Sequence, residues 1–258
     1  KIVFTEHSTS NKRMENKFFR LLDLVIYRGI RKNITIPEKV DENLKALLKG
    51  FDASKFELIH NGVPVEQFIE VIGYPATDFF SATDFILIQV SSFRAQKDQP
   101  TLIKSLLQLP ENIKLLLVGD GALRIENEKL VTTLQLENRV QFLGLRTDIP
   151  QLLKTADVAV LSSHYEGLSL SSIEGMAARP FIASNVQGLK EIVGGYGLLF
   201  EQGNEKDLAT KILELYNDKV YYQKIAHQCL MRAQEFDIQK MTDAYLKLYL
   251  SIHNEIER

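Results

Sequence analysis

Two glutamates carry the most informative spacing in the chain. Glu166 and Glu174 are eight residues apart within 161–180, LSSHYEGLSLSSIEGMAARP. The apolar run 156–161 feeds a polar loop, and Pro180 stops a helical pattern. If most of the span is helix, at ~1.5 Å per residue the two carboxylates lie roughly 12 Å apart along the axis. A nucleoside-diphosphate-sugar spans about that length between its sugar and its ribose. The amides of Gly167, Leu168, Ser169 and Leu170 would open the helix, where free N–H groups and the positive dipole end suit a diphosphate. One carboxylate could bind sugar hydroxyls and the other the ribose diol. The same residues also fit a plain strand-loop-helix turn with two solvated glutamates, and spacing alone leaves both readings open.

Such a pair needs a scaffold, and the surrounding pattern predicts one. Short apolar strands are expected over 85–90, 114–118, 139–142, 158–161, 181–183 and 198–200. Between them, helical periodicity covers 100–108, 122–135, 149–155, 168–178, 188–193, 205–217 and 220–236. Near-continuous apolar strands alternating with helices predict a parallel sheet covered on both faces, a Rossmann-like unit. Its ligands should sit at the carboxyl ends of the strands. Ahead of this unit, strands are expected at 2–4, 33–36 and 56–59 and helices at 10–28 and 38–49. Phe18, Leu21, Leu22, Val25 and Ile26 fall at helical spacing in the first of those helices. Residues 63–82, with Gly73, Pro75 and Asp78, read as a linker. A last helix is expected over 241–256. The predicted organisation is an N-terminal remnant over 1–62, a linker over 63–82, a nucleotide-binding domain over 83–236 and a terminal helical segment over 237–258.

Composition sets bounds. The 258 residues are 45% hydrophobic and 25% charged, enough for a sizeable soluble core. A net charge of −2 gives no bulk attraction to nucleic acid or anionic membrane. Cys229 is the single cysteine, which excludes an internal disulfide framework and a cysteine metal cluster. No apolar run approaches the ~20 residues that span a bilayer, and no signal peptide is visible. A reducing, cytoplasmic setting is the expectation.

Other strand ends carry candidate contacts. Lys97 follows the first strand of the larger unit, as a ligand-facing cation or as a surface lysine at a helix start. Gly119-Asp120-Gly121 is a tight turn. It lacks the third glycine of a dinucleotide fingerprint, which disfavours a nicotinamide site. Gly144 and Arg146 lie in LGLRTD, a base-lining loop or a simple connection capped by Asp148.

In order along the chain, FTEHSTSN, IHNGV, FRAQK, VGDG with FLGLRTD, and EGLSLSSIE resemble segments of the retaining family-4 glycosyltransferases with the GT-B fold. The last matches the family's Glu-x7-Glu motif. The resemblance covers nearly the whole chain and implies an α/β, GT-B-like architecture. The C-terminal Rossmann-like domain would be complete and the N-terminal one partial, with the final helix crossing back to it. The family's first domain is much longer, so the chain is expected to be a fragment or to have an incomplete sheet.

The resemblance also implies roles. His7 would reach the donor sugar, although a histidine after a strand is more usually a loop residue. Lys97 would neutralise the leaving diphosphate. The family's arginine position is occupied by Ser92, and Arg94 would supply that charge only if its loop turns inward. Gly167 to Leu170 would hold the diphosphate and Glu166 the sugar hydroxyls. Glu174 would hold the ribose, with Gly119, Gly121, Gly144 and Arg146 around the nucleotide. Gly188 and the helix after it read as structural. The implied reaction moves a sugar, with retention and without a metal, from a nucleotide-diphospho-sugar to a saccharide or lipid-linked acceptor. No cofactor is implied beyond that donor. Lys12, Arg13, Lys17 and Arg20 form a basic face that could touch the inner surface of a membrane, or simply be solvated. Two alternatives stand beside this reading: a nucleotide-sugar-binding fragment without turnover, and a GT-B-type nucleotide-sugar epimerase.

Overall fold

The computed structural model describes residues 2–6, 22, 25–27, 29–36, 42, 45 and 52–254. His7, Lys12, Arg13, Lys17 and Arg20 lie outside the described residues, as do most positions of the helices expected over 10–28 and 38–49. The chain forms two compact units, Lys1–Gly62 with Ile238–Arg258, and Val63–Asp237.

In the smaller unit, β1 (Ile2–Glu6), β2 (Ile30–Thr35) and β3 (Phe56–Leu58) pair in that order, all parallel. Of the apolar positions expected on one helical face, Leu22, Val25 and Ile26 are exposed, whereas Tyr27 is buried edge-on against Phe4.

The larger unit holds six parallel strands: β4 (Phe85–Val90), β5 (Ile113–Val118), β6 (Val140–Gly144), β7 (Val158–Leu161), β8 (Phe181–Ser184) and β9 (Leu198–Phe200). Their order is β6-β5-β4-β7-β8-β9. The helices are α1 (Val65–Glu70), α2 (Gln99–Ser105), α3 (Arg124–Thr133), α4 (Ile149–Thr155), α5 (Leu170–Ala178), α6 (Lys190–Val193), α7 (Glu205–Asn217) and α8 (Lys219–Glu235). All four side chains of β7 and all four of β8 are buried, as for a sheet with both faces covered. Each isoleucine or leucine so buried is worth about 1.5–3 kcal/mol relative to leaving it in water.

Residues 63–82 are not a linker. Val65 and Phe68, one helical turn apart on α1, are 2% and 3% exposed and belong to the same core as the sheet. Pro64 starts α1, and the Gly, Pro and Asp residues that suggested a linker follow it. An isolated parallel bridge between Val63 and Asp237 joins the two ends of the unit. After it, α9 (Ile238–Asn254) belongs to the smaller unit, where Leu248 and Ile252 pack with Ile34 and Ile59.

Candidate functional site

The strand order fixes where a site can form. From β4 the chain winds outward to β6, returns to β7 beside β4, and winds outward the other way to β9. The loops after β4 and β7 therefore diverge at the switch point, the usual place for a crevice in an open parallel sheet. Lys97 is on the first loop and Glu166 on the second.

These two side chains meet. Lys97 Nζ forms an ion pair with Glu166 Oε1, and the side chains are only 16% and 8% exposed. Ser163 Oγ donates to the same carboxylate oxygen at 2.6 Å. The loops are also tied through their backbones: the His164 N–H donates to the Gln96 carbonyl at 2.7 Å, and Gln96 Nε2 donates to the Tyr165 carbonyl at 2.7 Å. Breaking a buried pair by removing one partner typically costs about 3–5 kcal/mol, because the other charge is left uncompensated.

Glu166 is braced from a third loop. Its N–H donates to the Gln187 carbonyl at 3.2 Å. Gly188 has a φ of +87°, and a Cβ there would lie 2.2 Å from the Glu166 carbonyl oxygen. Only a residue without a side chain allows the two loops to close so tightly. Gly188 therefore bears directly on Glu166, a contact not visible in the sequence because 22 positions separate the two.

The helix expected from Leu168 begins at Leu170. Ser169 is the cause: it adopts extended backbone and its Oγ accepts from the Ser172 N–H at 3.3 Å, an N-cap. Only the segment from Leu170 to Glu174 is therefore helical, so the regular 12 Å spacing does not apply. The N–H groups of Gly167, Leu168, Ser169 and Leu170 donate to nothing among the described residues. Glu174 stands half-buried on α5 without a hydrogen-bond partner among the described residues, and burial pushes its carboxyl up.

The remaining candidates divide. Ser92 is half-buried, and its carbonyl accepts from Gln99 Nε2 at 3.0 Å. Arg94 does not turn inward: it is exposed and forms no ion pair among the described residues. Phe93 takes the inward position, 1% exposed against Phe142, because the apolar ring gains more from burial than a guanidinium would. Gly119 and Gly121 have φ of +129° and +155°, and a Cβ would lie 2.1 Å from the Ser91 carbonyl oxygen and 2.6 Å from that of Phe93. Their lack of side chains serves the packing of that turn against the loop carrying Lys97.

Gly144, at φ +67°, leaves room for Arg124 Nη1, 3.3 Å from where its Cβ would be. Sequence reasoning missed Arg124, which is held by Glu128 at 2.8 Å and Asp120 at 3.6 Å. Arg146 is committed to Asp148 by two contacts of 2.8 and 2.5 Å, and the Tyr74 hydroxyl donates to Asp148 at 2.7 Å. Arg146 holds the Asp148 carboxyl well below the usual range, and Asp148 makes no side-chain cap to α4. Among the described residues no group of three His, Cys, Asp or Glu side chains could hold a metal ion, and no helix is long and apolar enough to cross a membrane.

Gln89 was also missed. It is a lone polar side chain in an otherwise apolar strand, FILIQV, and that mismatch was the available signal.

Comparison with known proteins places these elements in context. Residues 76–235 match the family model of glycosyl transferases group 1. The chain is 30% identical over 178 residues to N-acetyl-alpha-D-glucosaminyl L-malate synthase of Bacillus anthracis, covering 67% of this chain and 47% of that protein. It is 26% identical over 259 residues to the Campylobacter jejuni N-acetylgalactosamine-N,N'-diacetylbacillosaminyl-diphospho-undecaprenol 4-alpha-N-acetylgalactosaminyltransferase, covering 97% and 70%. The chain thus spans about half the length of the first of these relatives. Anabaena HepE, solved in complex with UDP, superposes with a TM-score of 0.84 at 24% identity, over 96% of this chain and 72% of that one. WaaG, a glycosyltransferase involved in lipopolysaccharide biosynthesis, does so with a TM-score of 0.72 at 17% identity, over 95% and 74%.

Proposed function

This chain belongs to the glycosyl transferases group 1 family, and from that membership we propose that it binds a nucleotide-diphospho-sugar at the Lys97–Glu166 crevice and serves transfer of the sugar to a glycan or glycolipid acceptor. Its Rossmann-like parallel sheets are those of the GT-B glycosyltransferases it superposes on. The observation that carries the proposal is the buried ion pair at the switch point, beside the N–H groups of Gly167, Leu168, Ser169 and Leu170, which lead into α5 and have no partner among the described residues.

Each part has a chemical task. The departing diphosphate gathers negative charge as the glycosidic bond breaks. Lys97 and the N–H groups of Gly167 to Leu170 would hold that charge in a site already organised to receive it. Glu166 would accept hydrogen bonds from sugar hydroxyls, and Glu174 from the ribose diol. Positioning and charge stabilisation would then carry the step, with attack from the face the diphosphate leaves and retention of configuration. No divalent metal is required in this scheme, so transfer should persist in EDTA. A lipid-linked or saccharide acceptor fits the Campylobacter jejuni relative, which is named for transfer to a diphospho-undecaprenol-linked saccharide. Peripheral membrane contact through Lys12, Arg13, Lys17 and Arg20 belongs to the same proposal.

Calorimetry with uridine, guanosine and adenosine diphosphates tests it. Lys97→Ala and Glu174→Ala are each expected to weaken the diphosphate that the unmodified protein prefers by about tenfold or more, the worth of one charge-assisted hydrogen bond. Unchanged affinity in both variants would remove the site assignment.

A further inference from the structure

Beneath the Lys97–Glu166 pair lies a layer of buried polar side chains to which the scheme above gives no task. Gln89, in β4, is 1% exposed, and Ser162 and Ser163, just past β7, are fully buried. Gln89 Nε2 donates to the Lys97 carbonyl at 3.0 Å and to Ser91 Oγ at 3.0 Å. Its Oε1 lies 2.9 Å from Ser162 Oγ and is one of three acceptors that share that hydroxyl's single proton. The same hydroxyl lies 3.0 Å from the Lys97 carbonyl and 2.8 Å from the Asp98 carbonyl. Two side chains, one in β4 and one just past β7, thus converge on the backbone that carries the Lys97 ammonium. That backbone needs holding, because Asp98 has a φ of +42°, unfavourable for a residue with a Cβ.

Ser163 works on the other arm. Its Oγ donates to Glu166 Oε1 at 2.6 Å, and its own carbonyl accepts from the buried Ser184 Oγ of β8. These neighbouring hydroxyls reach different partners, one the Lys97 loop and the other Glu166. An apolar residue at either place would avoid the cost of burying a hydroxyl. Both hydroxyls instead end on groups that set the ion pair.

We propose that Gln89 and Ser162 are positioning residues for the Lys97 ammonium, and Ser163 for the Glu166 carboxylate, so that adjacent serines at one strand end set the two sides of the pair separately. The assignment deepens the donor-site reading, and its ligand-binding consequences rest on that reading. A purely structural layer would instead loosen both sides together when cut.

Ser162→Ala and Ser163→Ala in the whole chain separate the two. Without ligand, Ser162→Ala is expected to speed amide hydrogen exchange at Lys97 and Asp98 about tenfold, the worth of one hydrogen bond. Ser163→Ala should leave those amides at the unmodified rate. In calorimetry with uridine, guanosine and adenosine diphosphates, Ser162→Ala should weaken the preferred diphosphate by a similar factor, and Ser163→Ala should not. With UDP-glucose, GDP-mannose and ADP-glucose as probes, Ser163→Ala should lose the extra affinity that the sugar confers. Gln89→Met, matched in length, should repeat the Ser162→Ala pattern and replaces it if that variant does not fold. Unchanged exchange at Lys97 and Asp98, or equal losses for both ligand types in both serine variants, would overturn the inference. If the exchange pattern holds while the unmodified protein binds none of the diphosphates, the donor-site reading fails and the positioning of the pair stands.

Discussion

At Glu174 the environment makes a prediction about pH. Burial raises its carboxyl, so it takes up a proton at higher pH than an exposed glutamate does. A ribose diol needs the carboxylate as acceptor. Nucleoside-diphosphate affinity should therefore fall as pH is lowered, and the fall should begin above the ordinary glutamate range. The diphosphate titrates too, so the measurement is the difference between unmodified protein and Glu174→Gln across pH 5 to 8, set by about one proton. Identical pH slopes for the two would remove Glu174 from the binding site. In the empty protein the same shift makes Glu174's contribution to stability decline as pH rises between its unfolded and folded values. Gly188 supplies a second test. Gly188→Ala would drive a Cβ into the Glu166 carbonyl at a backbone conformation that disfavours side chains. Strain of about 1–3 kcal/mol is expected there. The readout is weakened nucleotide-sugar binding with only a modest loss in melting temperature, because Gly188 lies in a loop at the site.

Element by element, the sequence was read most reliably where hydrophobic burial alone decides. The runs 85–90, 158–161 and 198–200 are strands with the bounds their apolar stretches suggested, and 149–155 and 205–217 are helices with theirs. Where a hydrogen bond competes with periodicity, the pattern misled. The Ser169 cap moved the start of α5 by two residues, and the apolar turn Val65–Phe68 was hidden beside residues typical of loops. The seat of α5 on the sheet rests on Gly175, where a Cβ would lie 2.5 Å from the Phe181 ring and 3.2 Å from Ala159 Cβ. Gly175→Ala should therefore destabilise the larger unit despite the better helix propensity of alanine, by about 1–3 kcal/mol for overpacking. Thermal unfolding checks this, and a stabilised variant would show that the helix can shift outward at little cost.

For the whole molecule, the core from Val63 to Phe236 is continuous, and every candidate donor contact except His7 lies within Val63–Asp237. A chain cut to those bounds should melt in one cooperative transition and bind the preferred nucleoside diphosphate like the intact chain. Loss of cooperative melting would show that the smaller unit is needed for the larger to fold. The sequence by itself determined the α/β class, the positions of most strands and helices, and the candidate residues of the proposed donor site. Those depend on local pattern: apolar runs, capping residues, and the spacing of charges. Only the tertiary structure decided that Lys97 and Glu166 share one ion pair, that Arg94 faces solvent, and that Arg146 is spent on Asp148. Strand order controls the first of these, since β4 and β7 become neighbours only when the sheet assembles. The second and third follow from competition for burial and for hydrogen-bond partners, which no stretch of sequence read alone can settle.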